Sequence, residues 1–272
     1  MYPGGPLYGA ARGLWHLITR LGEAQILLPA MLAALLWLLL VARAARVARW
    51  WLFSTAVAAL LTTATKVAFF GYEVGYAPWD YTGISGHAMF AAAVLPVLTT
   101  LLAGGSAPRW RALGVVCGYG LALLIAYSRI LVNAHSVSES LTGLALGSLA
   151  SALTLTRLPL PNQRPHVWLG AGLALWMLVL PFGAPPSPTH NWVIKLSMAV
   201  SERAAPYQRW QMHRDYQRDL KRRQAAPASS QTTGSAHWWN ERARGRGVSA
   251  EWARGAITAE IGSASSRFLG GL

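Results

Sequence analysis

The sequence predicts an all-α integral membrane protein, a bundle of about six transmembrane helices. Three observations carry that prediction. Of 272 residues, 53% are hydrophobic and only 12% charged, where a soluble domain of this length carries about a quarter charged residues. The apolar residues gather in runs that approach the roughly 20 residues needed to span a bilayer. The net charge of +14 comes almost wholly from arginine, which falls in alternate connections between those runs. The single cysteine, Cys117, excludes an internal disulfide and reads as a small buried apolar side chain.

The first element is Leu7–Leu21, LYGAARGLWHLITRL. Its apolar and aromatic residues recur at helical spacing with Arg12 and Arg20 between them, which predicts an amphipathic helix in the interface. Residues 1–23 are assigned to this N-terminal element. Six spans follow, at Ala24–Val41, Trp50–Phe70, Gly86–Ala103, Ala112–Tyr127, Val137–Leu155 and Val167–Gly183. The Ala42-Arg43-Ala44 stretch has the look of a signal-peptide cleavage site. The run before it is too long for a signal peptide and another span follows at once, so an uncleaved anchor is expected.

Arginine placement orients the bundle. Arg43, Arg46 and Arg49 follow the first span, Arg109 and Arg111 the third, and Arg157 and Arg164 the fifth. The connection Gly71–Ser85 has no lysine or arginine, only Glu73 and Asp80. The positive-inside rule therefore places connections one, three and five in the cytoplasm, and the other connections with both termini on the far side. Residues 24–200 form the transmembrane domain. From Ser201 to residue 272 the apolar periodicity disappears into a basic stretch with Arg203, Arg209, Arg214 and Arg218, followed by Ser, Gly and Ala. This composition predicts a disordered tail without a nucleic-acid partner, its basic and tryptophan residues fitting membrane lipids better. Losing the sixth span would move that tail inside.

The alternating topology brings a sparse set of polar residues to the outer ends of the spans. Lys66 closes the second, Ser85, Gly86 and His87 open the third, Ser128 and Arg129 close the fourth, and His135 and Glu139 open the fifth. Ionisable residues inside a membrane are functional candidates by default. A helix N-terminus at Ser85-Gly86-His87 favours an anion, and Gly86 permits close backbone approach. His135 and Glu139 are four apart, so a carboxylate can accept the imidazole Nδ1 proton and leave Nε2 as a nucleophile. Arg129 offers a planar fork for phosphate oxygens, Lys66 a second positive charge, and His87 a proton for the leaving oxygen. Two other readings compete. His87, His135 and Glu139 could ligate zinc, although Arg129 and Lys66 disfavour a cation there. Lys66 could equally snorkel to headgroups. Asp80, with Trp79 and Tyr81, reads as an interfacial anchor and loop cap. His16, His166, His190, His213 and His237 read as ordinary interfacial or solvent-facing residues.

These residues resemble the type 2 phosphatidic acid phosphatase (PAP2) superfamily of membrane lipid phosphatases. Its motif Ser-Arg-x5-His-x3-Asp is similar to Ser128-Arg129-ILVNA-His135-SVS-Glu139, with glutamate in place of aspartate. Its Pro-Ser-Gly-His is similar to Ile84-Ser85-Gly86-His87, and of Lys-x6-Arg-Pro only Lys66 remains, Glu73 and Val74 standing where Arg-Pro is due. The resemblance implies His135 as the nucleophile of a phosphohistidine intermediate, His87 as general acid, and Glu139 orienting His135. It implies Lys66, Ser85, Gly86 and Arg129 as phosphate holders, with no cofactor and no metal. The expected activity is hydrolysis of a lipid phosphomonoester or pyrophosphate, of phosphatidic acid or undecaprenyl pyrophosphate type. The expected setting is a bacterial inner membrane, with the site facing the periplasm. A phosphotransferase with the same site, or a non-catalytic lipid-phosphate binder or transporter, are the alternatives. The sequence carries no oligomer signal.

Overall fold

Each of the six apolar segments folds as a helix, because each joins long apolar side chains to few residues that break a helix. The computed structural model describes residues 6–104, 107–157, 159–163, 165–183 and 187–225, with side chains from residue 13 onward. Its helices are α1 (Pro6–Arg20), α2 (Ala24–Leu40), α3 (Ala45–Tyr72), α4 (Gly86–Ala103), α5 (Pro108–Leu131), α6 (Val137–Arg157), α7 (Val167–Gly183), α8 (Thr189–Ser201) and α9 (Arg209–Ala225). Among the described residues there is no strand, only an isolated antiparallel bridge between Tyr76 and Tyr81. The protein is therefore all-α.

Among the described residues, four stretches are long and apolar enough to cross a membrane: Gly13–Leu40, Ala45–Tyr72, Gly86–Ala103 and Pro108–Leu131. The expected count of six is not reproduced on those grounds. Helix α7 is apolar but has 17 residues. Helix α6 is long enough but polar, and it buries Glu139, Ser140, Ser151 and Thr154 among its neighbours. Glu139, Ser151 and Thr154 are tolerated there because they hydrogen-bond to protein rather than face lipid, whereas the Ser140 hydroxyl is buried without a protein partner.

Helix α4 is the axis of the bundle, with thirteen of its eighteen residues buried. Small residues let its neighbours approach: Gly114 and Gly118 on α5, and Gly143 and Gly147 on α6. A Cβ at Gly147 would stand 2.0 Å from the Met89 carbonyl oxygen, and one at Gly118 2.4 Å from the Pro96 Cα. Where lipid is as apolar as the side chains, close backbone packing and interhelical hydrogen bonds hold helices together. Trp51 Nε1 donates to the Ala93 carbonyl (3.0 Å), Ser54 Oγ to that of Ala150 (3.1 Å), Thr99 Oγ1 to that of Gly114 (2.6 Å) and Trp176 Nε1 to that of Ile26 (3.1 Å). Apolar side chains such as Leu52, Phe53, Leu60 and Leu123 point outward, as lipid requires.

Three expectations need correction. Cys117 is exposed on α5 rather than buried, because the glycine face of that helix, not the cysteine face, meets α4. Arg46 and Arg49 belong to the first turns of α3, which begins at Ala45 rather than Trp50. The stretch predicted to be disordered from Ser201 holds α9, Arg209–Ala225, before residues 226–272, which lie outside the described ones together with His237. The chain divides into two compact units, Met1–Asp215 and Tyr216–Leu272. The first thus extends past Val200, the limit expected for the transmembrane domain, and includes residues 201–215.

Candidate functional site

The site begins with a carboxylate that should not be where it is. Glu139 sits in the first turn of α6 and is fully buried. A lone buried charge is strongly disfavoured unless hydrogen bonds and counter-charges replace water. Here five donors do so. The Thr82 backbone N–H donates to Oε1 (2.8 Å), and the Thr82 hydroxyl donates to the same oxygen. The Ser136 N–H donates to Oε2 at 3.2 Å, His135 Nδ1 lies 2.7 Å from Oε2, and Arg209 Nη2 reaches both oxygens at 2.8 and 2.9 Å. An acceptor so surrounded is ionised, since a protonated carboxyl would set its own O–H against donors.

His135 lies in the short connection between α5 and α6. Glu139 holds it through Nδ1, so that nitrogen carries the proton and Nε2 keeps its lone pair. Burial pushes the His135 imidazole down from the ordinary 6.5 to about 4. Lys66 and Arg129 push the same way, and the bond to Glu139 opposes them. Above about 4 the ring is therefore neutral and available as a nucleophile, and acid removes it only below that. In a titration of ¹³C-labelled histidines, with His135 assigned by His135→Gln, the expected midpoint is about 4. A midpoint at the ordinary 6.5 would contradict the site as described.

His135 forms part of the wall of a cavity of about 630 Å³, also lined by Lys66 on α3, Gly86 and His87 on α4, and Arg129 on α5. Arg129 Nη1 donates to the buried Thr19 hydroxyl (3.1 Å) on α1, while its Nε is buried without a protein hydrogen-bond partner. The hydroxyls of Ser85 and Thr62 are likewise buried and unpartnered. Unpaired buried donors around a cationic cavity suit an oxyanion. Ser85 is buried at the N-cap of α4, and its N–H donates to the Glu139 carbonyl at 3.0 Å. A Cβ at Gly86 would meet only Thr62 Cγ2, at 3.9 Å, so packing within the protein does not demand glycine there. Gly83, at φ +126, does require it: the loop before α4 passes against the backbone of Thr65 and Lys66. Ser128 is not at the cavity, its buried hydroxyl donating to the Ile125 carbonyl at 2.6 Å.

The seven residues that the resemblance gives a role in the site thus surround this one place, Lys66, Gly86, His87, Arg129 and His135 on its wall with Ser85 and Glu139 behind it, while Ser128 stands apart. Others were missed. His190 of α8 lines the cavity. Asp80 is no mere anchor: it receives Arg209 Nη1 and lies 2.7 Å from His213 Nε2. His190 and His213 are therefore not ordinary surface histidines. Arg209 joins both carboxylates and also lines the cavity. The one sequence signal for it was a loop holding Glu73 and Asp80 without any base, which left two carboxylates in need of partners.

Fold and site together define an all-α membrane-helix protein with a histidine–carboxylate pair facing a cationic cavity. Comparison with known proteins gives the family. A model of the PAP2 superfamily matches residues 69–162. A protein of Klebsiella pneumoniae with the name "Uncharacterized 22.5 kDa protein in cps region" is 34% identical over 205 residues, covering 74% of this chain and 98% of that protein. No solved structure matches the chain. The chain belongs to the PAP2 superfamily, a family of phosphatase type. The match begins just beyond Lys66 and ends well before Arg209.

Proposed function

We propose that the protein is a membrane-bound lipid phosphate phosphatase working through a phosphohistidine. The observation that carries this reading is the 2.7 Å contact between His135 Nδ1 and Glu139, made at the wall of a cavity that also holds Lys66, Arg129 and His87. His135 Nε2 attacks phosphorus, an N–P bond forms, and the P–O bond to the leaving group breaks. His87, charged only once the phosphate dianion lies beside it, gives its proton to that oxygen. Water then attacks phosphorus while His87 takes up a proton, the N–P bond breaks, and free phosphate leaves. Lys66, Arg129 and the backbone at Gly86 meet the charge that spreads over the phosphoryl oxygens, so the reading requires no metal.

The lipid part of the reading rests on the rest of the same cavity, where Leu28, Ala59, Phe69, Met89 and Phe90 form an apolar wall. Ala59 lies seven residues before Lys66 on α3, roughly 10 Å along the helix. A phosphate at Lys66 would therefore continue into space suited to an acyl or isoprenyl chain, as in phosphatidic acid or undecaprenyl pyrophosphate. The arginine bias toward the other connections supports a site on the non-cytoplasmic side, in this reading the periplasmic side of a bacterial inner membrane. Phosphate release by detergent-solubilised protein, against a panel of lipid and water-soluble phosphates without added metal, tests the reading. Release from lipid phosphates is expected, inhibited by vanadate and indifferent to chelator. Activity that chelator abolishes, or that is confined to water-soluble esters, contradicts it. Label passing to a second lipid instead of to free phosphate identifies a transferase.

A further inference from the structure

The segment after α8 is not a tail lying beside the site. Arg203 Nη1 pairs with Glu73 at 2.7 Å, and the Tyr207 N–H donates to the Phe70 carbonyl at 2.9 Å. The Tyr207 ring packs on Phe69 at 5.4 Å, and His213 sits on Asp80. Phe69, Tyr207 and Met212 form a small core of their own. A Cβ at Gly75 would stand 2.6 Å from Met212 Sδ, so the loop after α3 makes room for this segment. The anchors flank Arg209 on both sides in sequence. They deliver its guanidinium to both oxygens of Glu139 while the side chain, 35% exposed, still lines the cavity.

Glu73 occupies the position where the resemblance places an arginine. It points to Arg203 and is absent from the cavity wall. The charge at that position is thus reversed, and the reversed charge helps to hold the segment that brings another arginine to the site. We propose that Arg209 is a positioning residue of this active site, holding ionised Glu139 against His135 and cancelling its charge toward an incoming phosphate. The proposal rests on the phosphatase reading above. Its logic is electrostatic. A buried carboxylate one residue removed from an anionic substrate repels it, and an arginine whose Nη2 bridges both oxygens while its Nη1 holds Asp80 offsets that repulsion and fixes the rotamer that aims His135. The groups bearing on His135 are then Glu139, Lys66, Arg129, His87 and Arg209.

The test uses full-length protein in detergent as wild type, Arg209→Ala, Arg209→Lys and, on an exposed position of the same helix, Arg214→Ala. Two readouts are taken: kcat and KM for phosphate release from a lipid phosphate, and the titration midpoint of His135. Arg209→Ala is expected to lower kcat by about 10²-fold, the scale of a misplaced catalytic group. It is also expected to raise the His135 midpoint, because Glu139 then pulls on the imidazole proton without a competing cation. Arg209→Lys, which keeps the charge but loses the fork, is expected to fall between. Arg214→Ala is expected to match wild type. An Arg209→Ala protein with wild-type kcat and an unmoved midpoint overturns the proposal. So does one that loses activity and thermal stability with an unmoved midpoint, which makes Arg209 a tether only. If wild type releases no phosphate, the phosphatase reading fails separately. The midpoint alone then decides whether Arg209 governs the Glu139–His135 pair.

Discussion

Replacing His135 with glutamine is expected to abolish phosphate release, lowering kcat by about 10⁴-fold or more, the scale seen when a covalent nucleophile is removed. Glutamine preserves much of the volume and can still donate toward Glu139, so the cavity wall should survive. What is lost is the one lone pair that the 2.7 Å bond to Glu139 prepares for attack. The contrast with other readings is sharp. A carrier that only binds lipid phosphate depends on Lys66 and Arg129 and should tolerate the change. A phosphohistidine trapped by an alkaline denaturing quench during turnover, its N–P bond being labile in acid, should be present in wild type and absent in His135→Gln. Retention of phosphate release by that variant would sink the mechanism.

Gly147→Ala is expected to be the most damaging single-methyl change outside the site. The added Cβ would stand 2.0 Å from the Met89 carbonyl oxygen and 2.9 Å from the Ala92 Cβ. Neither backbone can yield without moving a helix, and relief requires α4 and α6 to separate by roughly 1 Å. Overpacking of this kind costs about 1–3 kcal/mol, at times more. The separation also reaches the chemistry, because α4 carries Gly86 and His87 while α6 carries Glu139. A shift of about 1 Å between catalytic groups can cost around 10²-fold in rate. Thermal aggregation in detergent, followed by size-exclusion chromatography, should show the loss of stability. Gly120→Ala is the matched control. A Cβ there meets nothing within 4 Å, and alanine favours a helix by about 1 kcal/mol over glycine, so that variant should be neutral or slightly more stable. Equal behaviour of the two variants would contradict the packing of α4 described above.

Much of this was legible in the letters. The bounds of α4 and α7 coincide with the apolar runs Gly86–Ala103 and Val167–Gly183, and α2 differs by one residue at its end. Hydrophobic runs and helix spacing are local properties, and the bilayer punishes any departure from them. The pairing of His135 with Glu139 is local too, four residues apart in sequence, with His135 just before α6 and Glu139 in its first turn. The juxtaposition of Lys66, His87, Arg129 and His135 followed from counting alternate helix ends.

Other features were out of reach. Nothing near Arg209 in sequence marks it off from Arg203, Arg214 or Arg218. Its partners Glu139 and Asp80 lie 70 and 129 residues away. The same holds for Thr19, which joins Arg129 across 110 residues, and for Cys117, whose orientation depends on which face of α5 meets α4. Composition made the segment after Ser201 look like a solvated tail, because arginine-rich stretches without apolar periodicity usually are. Patterns along the chain specify what each rod buries and where it ends, for those depend on neighbours a few residues away. Which distant cation neutralises a buried carboxylate depends on how the rods pack, and that was decided when α3, α6 and the segment after α8 came together around Glu139.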